Sequence, residues 1–231
     1  MKKLGIGLLF ILAILGVFFV SKNLIPHREK VKEKPLLKYT FENLKKRQNL
    51  ALPITLGHVL DEDESIISQV FYFNLRETIG GKSMHRKVSG LINVPKIEGA
   101  YPIIVMMRGF VPKETYSTGI GTQRAGEFFA QNGFITISSD FLGYGKSDNP
   151  SSSSIEERFQ TYTTALNLLS SLPNLNSGLD ASYSGKIKAD ISKVGIWGHS
   201  NGGQIALSIL EITGKNYPTV LWAPVSKPFP Y

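Results

Sequence analysis

The chain has 231 residues, no cysteine, 42% hydrophobic and 19% charged side chains, a balance that excludes wholesale disorder and leaves room for one core-bearing domain plus an attachment. The absence of cysteine excludes a disulfide scaffold, thiolate metal sites, a cysteine nucleophile and attachment through a lipidated cysteine. The net charge of +8 is uneven: Lys2, Lys3 and nine cations from Lys22 to Arg47, against Glu29, Glu33 and Glu42, account for all of it, and from Gln48 onward 15 cations meet 15 anions. An excess confined to a tail beside an apolar run suits a membrane surface and argues against a nucleic-acid partner.

Residues 4–20 carry no charge over 17 positions, behind Met1-Lys2-Lys3 and ahead of Ser21-Lys22. That length reaches the lower limit for spanning a bilayer. Bulky Val17, Phe18, Phe19 and Val20 run straight into Ser21 without the small residues a signal peptidase needs, so an uncleaved single-pass anchor over residues 1–21 is expected rather than a removed signal. The lysines after the run lean to a cytoplasmic carboxyl side, and the secretory character of the start leans outward, so the side of the membrane stays open. Residues 22–63 lack a sustained apolar period and read as a basic juxtamembrane linker, helical around residues 36–50.

From residue 64 to residue 231 strands and helices alternate. Residues 65–75 and 84–94 are β-rich runs joined as a hairpin, and residues 101–107 form a nearly all-apolar strand. A helix is expected over residues 122–132, with Ala125, Phe128 and Phe129 on one face and Gly133 as its stop. A strand at residues 134–139 leads into the Gly-punctuated loop from Asp140 to Ser147. Ser154 and Glu157 make a capping box that opens a helix with apolar residues Ile155, Phe159, Tyr162, Leu166 and Leu169, closed by Pro173. A polar loop, a strand at residues 193–197, a helix from Ser200 to about Thr213 and a strand at residues 219–222 follow. The alternation predicts an α/β fold with a mostly parallel sheet covered on both faces.

The segment Gly198-His199-Ser200-Asn201-Gly202 holds a G-x-S-x-G pattern between an apolar strand and an Ala/Leu/Ile-rich helix. The pattern alone is weak; the strand-turn-helix context makes it specific, because a sharp turn there holds a serine hydroxyl exposed while Gly198 and Gly202 let the two backbones pass closely. Ser200 is the expected nucleophile.

At these residues the chain resembles the α/β-hydrolase family, in its prolyl-oligopeptidase-like and dienelactone-hydrolase-like branch. The resemblance covers residues 65–225 and also rests on residues 88–95, Arg108-Gly109-Phe110, Asp140 to Ser147 and Trp222-Ala223-Pro224-Val225. It implies an oxyanion hole formed by the backbone N–H groups of Phe110 and Asn201, no metal and no cofactor, and a structural role for Asp140. Tyr144 and Lys146 are weaker candidates for the pocket wall. Arg108 stands where the family usually has histidine.

The family's acid and base follow the serine in the chain. After Ser200 there is one carboxylate, Glu211, pointing away within the helix, and no histidine. His27, His58 and His85 lie elsewhere, and His199 projects to the opposite side of the strand from Ser200. The expected reading is therefore a membrane-anchored serine hydrolase, cleaving an ester or peptide bond of a small molecule or peptide, whose domain is incomplete and whose acid and base lie beyond Tyr231. Two alternatives stand beside it: a catalytically inactive hydrolase-like binding module, and another α/β enzyme such as a nucleotide-binding protein, against which the missing phosphate-loop patterns count.

Overall fold

The computed structural model describes residues 34–79, 82–151 and 153–225; the expected anchor lies outside them. Among the described residues no helix is long and apolar enough to cross a membrane. The described residues from Leu36 onward belong to one compact unit.

Seven strands form one sheet: β1 (Ile54–Glu62), β2 (Ile66–Ile79), β3 (Lys82–Pro95), β4 (Gly99–Met107), β5 (Ile135–Ser139), β6 (Ile187–His199) and β7 (Thr219–Trp222), in the order β1-β2-β3-β5-β4-β6-β7. The sheet is mixed rather than mostly parallel. β1, β2, β3 and β5 pair antiparallel, and β5, β4, β6 and β7 pair parallel. The reason is the hairpin: β2 and β3 remain paired along their full length, from Ile66 opposite Pro95 to Ile79 opposite Lys82, and only then does the chain turn to crossover connections.

The central strands are buried on both faces, β4 from Ile103 to Met107 and β5 along its whole length; β4 accordingly reads as an apolar run, whereas β5 alternates isoleucine with buried Thr136 and Ser138. Ile103, Val105 and Met107 of β4 join Ile135 and Ile137 of β5 in the main core, beneath the helices α3 (Ser154–Ser171), α4 (Leu175–Tyr183) and α5 (Asn201–Thr213). On the opposite face Ile104, Met106 and Trp197 pack with Ala125, Phe129 and Phe134 under the single helix α2 (Gln123–Gln131). Phe128, expected on the buried face of that helix, is instead exposed; Gly126 and Ala130 are its buried residues.

Three further expectations change. The stretch taken as linker belongs in large part to the folded unit: Tyr39, Leu44 of α1 (Phe41–Lys46) and Ile54 of β1 are core residues, and β1 pairs with β2. Burying a side chain such as Leu44 is worth about 1.5–3 kcal/mol, so isolated apolar residues tie the segment down without any periodicity. Tyr39 also stacks on Phe159 with centroids 5.6 Å apart and donates to Glu156. Burial, and then that carboxylate, push its phenol far above the ordinary tyrosine range, so it remains a donor.

The cap of α3 is Ser153, one residue earlier than expected, accepting from the Glu156 N–H. The polar stretch after Pro173 folds as α4, because Leu175 and Leu179 bury one turn apart and Gly178 passes close to the Ile54 carbonyl. Glu211 lies exposed on α5 and pairs with Lys45, away from Ser200.

Candidate active site

β6 ends at His199 and α5 begins at Asn201, so the whole change of direction falls on Ser200. Its backbone takes φ 53 and ψ −120, a left-handed region that a non-glycine residue occupies only under constraint. The constraint is visible on both sides. Ser200 N donates to Trp222 O at 3.1 Å, and Ser200 O accepts from Gly203 N and from Val225 N, each at 3.0 Å. A Cβ at Gly202 would lie 1.9 Å from the Met107 carbonyl oxygen, and one at Gly198 would lie 2.7 Å from that of Gly202. Both positions must be glycine, as the spacing predicts.

Ser200 opens on a cleft of about 820 Å³ whose apolar wall includes Phe110, Phe141, Leu142, Ile205 and Val225. Tyr144 borders this cleft, whereas Lys146 lines a different and smaller cavity near His58. Asn201 is the first residue of α5, so its N–H is among the first-turn donors that no preceding helical carbonyl can reach. Gly109 runs against the serine: a Cβ there would come 3.1 Å from Ser200 Cβ. The next residue, Phe110, has its side chain 74% exposed at the mouth of the cleft.

Asp140 is wholly buried and accepts from Ser89 (2.5 Å), Tyr116 (2.7 Å) and Thr118 (2.9 Å). These bonds pin the end of β5 to β3 and to the 116–118 loop, as expected of a structural aspartate. Burial first, and then the Asp140 charge, push the Tyr116 phenol far above the usual range.

His199 faces the α2 side of the sheet, with its ring 6.1 Å from that of Trp197. Among the described residues no histidine hydrogen-bonds Ser200, and no group of three or more metal-ligating side chains comes together. The sequence reading missed how the loop after β4 is held. Arg108 lies in a box of aromatic rings, and Lys113 pairs with Glu157 of α3 at 2.8 Å. The only sequence signal was arginine in the place of the family's histidine.

A family model described as Chlorophyllase matches residues 73–217, which is more than half of the chain. No curated protein matches the chain. Among solved structures, acetyl xylan esterase 1 from Thermoanaerobacterium aligns with a TM-score of 0.47 and 14% identity over 78% of this chain and 55% of its own. The rice cell wall degrading esterase LipA from Xanthomonas oryzae aligns at 0.38 and 19% over 71% of this chain and 45% of its own. The α/β hydrolase GrgF from Penicillium aligns at 0.42 and 14%, over 67% and 46%. The chain thus spans about half the length of these structures.

Proposed function

Since the chain belongs to the chlorophyllase family of the α/β-hydrolases, we propose that it serves a hydrolase that cleaves an acyl bond, an ester in the first instance, through an acyl-enzyme on Ser200. The observation that carries this reading is the strained backbone of Ser200 at the β6–α5 junction, with φ 53 on a non-glycine residue that opens on the cleft. Strain of about 1–3 kcal/mol persists where surrounding structure enforces it, and such sites cluster at catalytic positions. In the proposed reaction Ser200 Oγ attacks the acyl carbon and the carbonyl oxygen becomes an oxyanion held by the Phe110 and Asn201 N–H groups. The alcohol then leaves, and water releases the acid. An alkoxide leaves with less help from a general acid than an amine does, which favours an ester over a peptide bond.

A serine hydroxyl needs a general base near neutral pH. No described histidine is placed to be one, so the proposal assigns the base and its orienting acid to residues outside the described ones. The chain is attached to a membrane through residues 4–20, on the sequence evidence of their length and unbroken apolar character.

The test compares the protein expressed from its complete reading frame with its Ser200→Ala variant, using fluorophosphonate labelling and p-nitrophenyl ester turnover. Labelling of Ser200 with turnover lost in the variant is the expected result; absence of labelling in the parent favours the inactive binding module. Within the same protein, Phe110→Pro removes a backbone donor and should lower turnover by roughly 10²–10³, whereas Asn201→Ala keeps its donor and should change little. Equal losses would assign Asn201 a side-chain role instead. Membrane fractionation with amino-terminal sequencing checks the anchor, and a soluble protein starting between Ser21 and Lys30 would refute it.

A further inference from the structure

Arg108 is built into the fold in a way no surface cation is. It is 5% exposed, and its guanidinium carbon lies 4.0 Å from the ring centroid of Tyr144, 4.7 Å from that of Tyr116 and 5.4 Å from that of Phe141. A buried cation is costly unless compensated. Here the compensation comes from the three ring faces and from backbone carbonyl oxygens. Two of the guanidinium donors are then spent on backbone carbonyls: Nη1 on Gly109 O and Nη2 on Asp140 O, each at 2.9 Å. Nε is buried without a hydrogen-bond partner, and the residue borders the cleft onto which Ser200 opens.

The bond to Gly109 O carries the consequence. A trans peptide is planar, and its C=O and N–H point in opposite directions. The carbonyl of Gly109 and the N–H of Phe110 belong to one such plane. Holding the carbonyl on the guanidinium therefore turns the Phe110 N–H away from Arg108, at a point where the chain runs against Ser200, Gly109 being the residue whose added Cβ would meet Ser200 Cβ at 3.1 Å. The second bond, to Asp140 O, fixes the guanidinium itself at the end of β5, so the carbonyl is held on an anchored group.

We propose that Arg108 is a positioning residue that aims the Phe110 N–H into the oxyanion hole by gripping the other end of the same peptide unit. This rests on the hydrolase reading above and adds to it a side chain that the backbone-only hole does not require. A rigid planar fork takes the two carbonyls on separate nitrogens at fixed spacing, whereas an ammonium offers its donors from one nitrogen on a flexible stem, so the geometry of the fork, and not charge alone, specifies arginine here.

The experiment uses the protein from its complete reading frame with Arg108→Lys, which keeps the charge and loses the fork, and Tyr144→Leu, a milder change that opens one wall of the box. Two readouts are taken: p-nitrophenyl acetate kinetics, and amide hydrogen exchange of peptides spanning residues 108–112. Removing an oxyanion donor costs roughly 10²–10³ in kcat; a donor misaimed but still present should cost about 10–10² in Arg108→Lys and a few-fold in Tyr144→Leu. KM should stay within about threefold, and the rate of fluorophosphonate inactivation should fall in parallel with kcat, because both use the hole. Exchange at residues 108–112 should rise while that of β4 and α5 does not. Unchanged kcat and unchanged exchange overturn the proposal, and so does a raised KM at constant kcat, which would make Arg108 a substrate contact. If the parent does not label at Ser200, it is the hydrolase reading that fails. The exchange arm then decides alone: local loosening at residues 108–112 supports the grip, and its absence refutes it.

Discussion

The elbow and the loop after β4 meet at Ser200 but are held in place by opposite means. At the elbow, backbone rests on backbone: the space beside Gly202 and Gly198 is too small for a single methyl group, and the Ser200 amide and carbonyl are engaged by the last residue of β7 and by the segment after it. In the loop from Arg108 to Thr115, side chains from distant elements do the holding, through Arg108 to β5 and through Lys113 to α3. The difference teaches where a site can be read from sequence. Close backbone approach imposes small residues at a fixed spacing, whereas a long-range grip leaves isolated cations whose partners sit some 30 to 45 positions away.

The largest effect expected separates chemistry from architecture within the elbow itself. In the full protein Ser200→Ala should lower turnover by about 10⁶, on the scale seen when a serine protease loses its nucleophile. Ser200→Gly should be equally inactive yet more stable than Ser200→Ala by about 1 kcal/mol, since glycine accepts φ 53 without strain. Denaturant unfolding of the two inactive variants measures this, and an alanine variant at least as stable as the glycine one would mean that the turn is not strained. Gly202→Ala comes next. A Cβ 1.9 Å from Met107 O forces β4 and α5 apart, at a cost of about 3 kcal/mol or more and with loss of soluble protein. Gly195→Ala, whose Cβ would come no nearer than 3.2 Å to Pro218 O, should cost about 1 kcal/mol or less, so similar losses at both sites would remove the steric argument.

This contrast also explains how much of the molecule was legible beforehand. The hairpin, β4, the elbow and α5 follow from periodicity and glycine spacing, and the structure has them at nearly the expected residues. β1 and α4 were hidden for different reasons. Along β1 only Ile54 is fully buried and the rest of the strand is half or fully exposed, so no alternation marks it. In α4 the buried residues are Leu175, Gly178 and Leu179, the glycine leaving room for the Ile54 carbonyl, and a glycine among serine and asparagine reads as loop until its partner strand is known. Arg108 was noticed as a departure from the family's histidine, but the aromatic box that gives it a task comes from loops after β4 and β5 and has no spacing in the chain.

The two cations of the loop sharpen the comparison at smaller scale. Lys113 and Glu157 are paired at 2.8 Å but are 44% and 28% exposed, and exposed pairs contribute about 0–1 kcal/mol. Lys113→Met should therefore leave kcat within about twofold and the melting temperature within a few degrees, where Arg108→Lys moves both kcat and local exchange. A large loss of turnover in Lys113→Met would show that the loop is held from α3 as much as from β5.

The smallest effect concerns a turn that a single carboxylate helps to hold. Asp63, between β1 and β2, accepts from Ser65 N, Ser65 Oγ and Ile66 N through Oδ1, and from Gln131 through Oδ2. The two backbone donors come first among the causes that bring its carboxyl down to about 2 from the ordinary aspartate value. A folded-state value below the unfolded one means that the ionised form is favoured by folding, so this contribution is complete above the unfolded value near 4 and is lost as pH falls toward 2. Asp63→Asn can keep the turn's acceptor without the charge and cannot titrate. The stability difference between parent and variant, from denaturant unfolding at each pH, should be constant above about pH 4.5 and shrink between pH 4 and pH 2, while Glu42, Glu156 and Asp190, whose values are also lowered, cancel in the comparison. A difference that persists undiminished at pH 2 would mean that the turn is held by shape, as the elbow is, and not by the carboxylate.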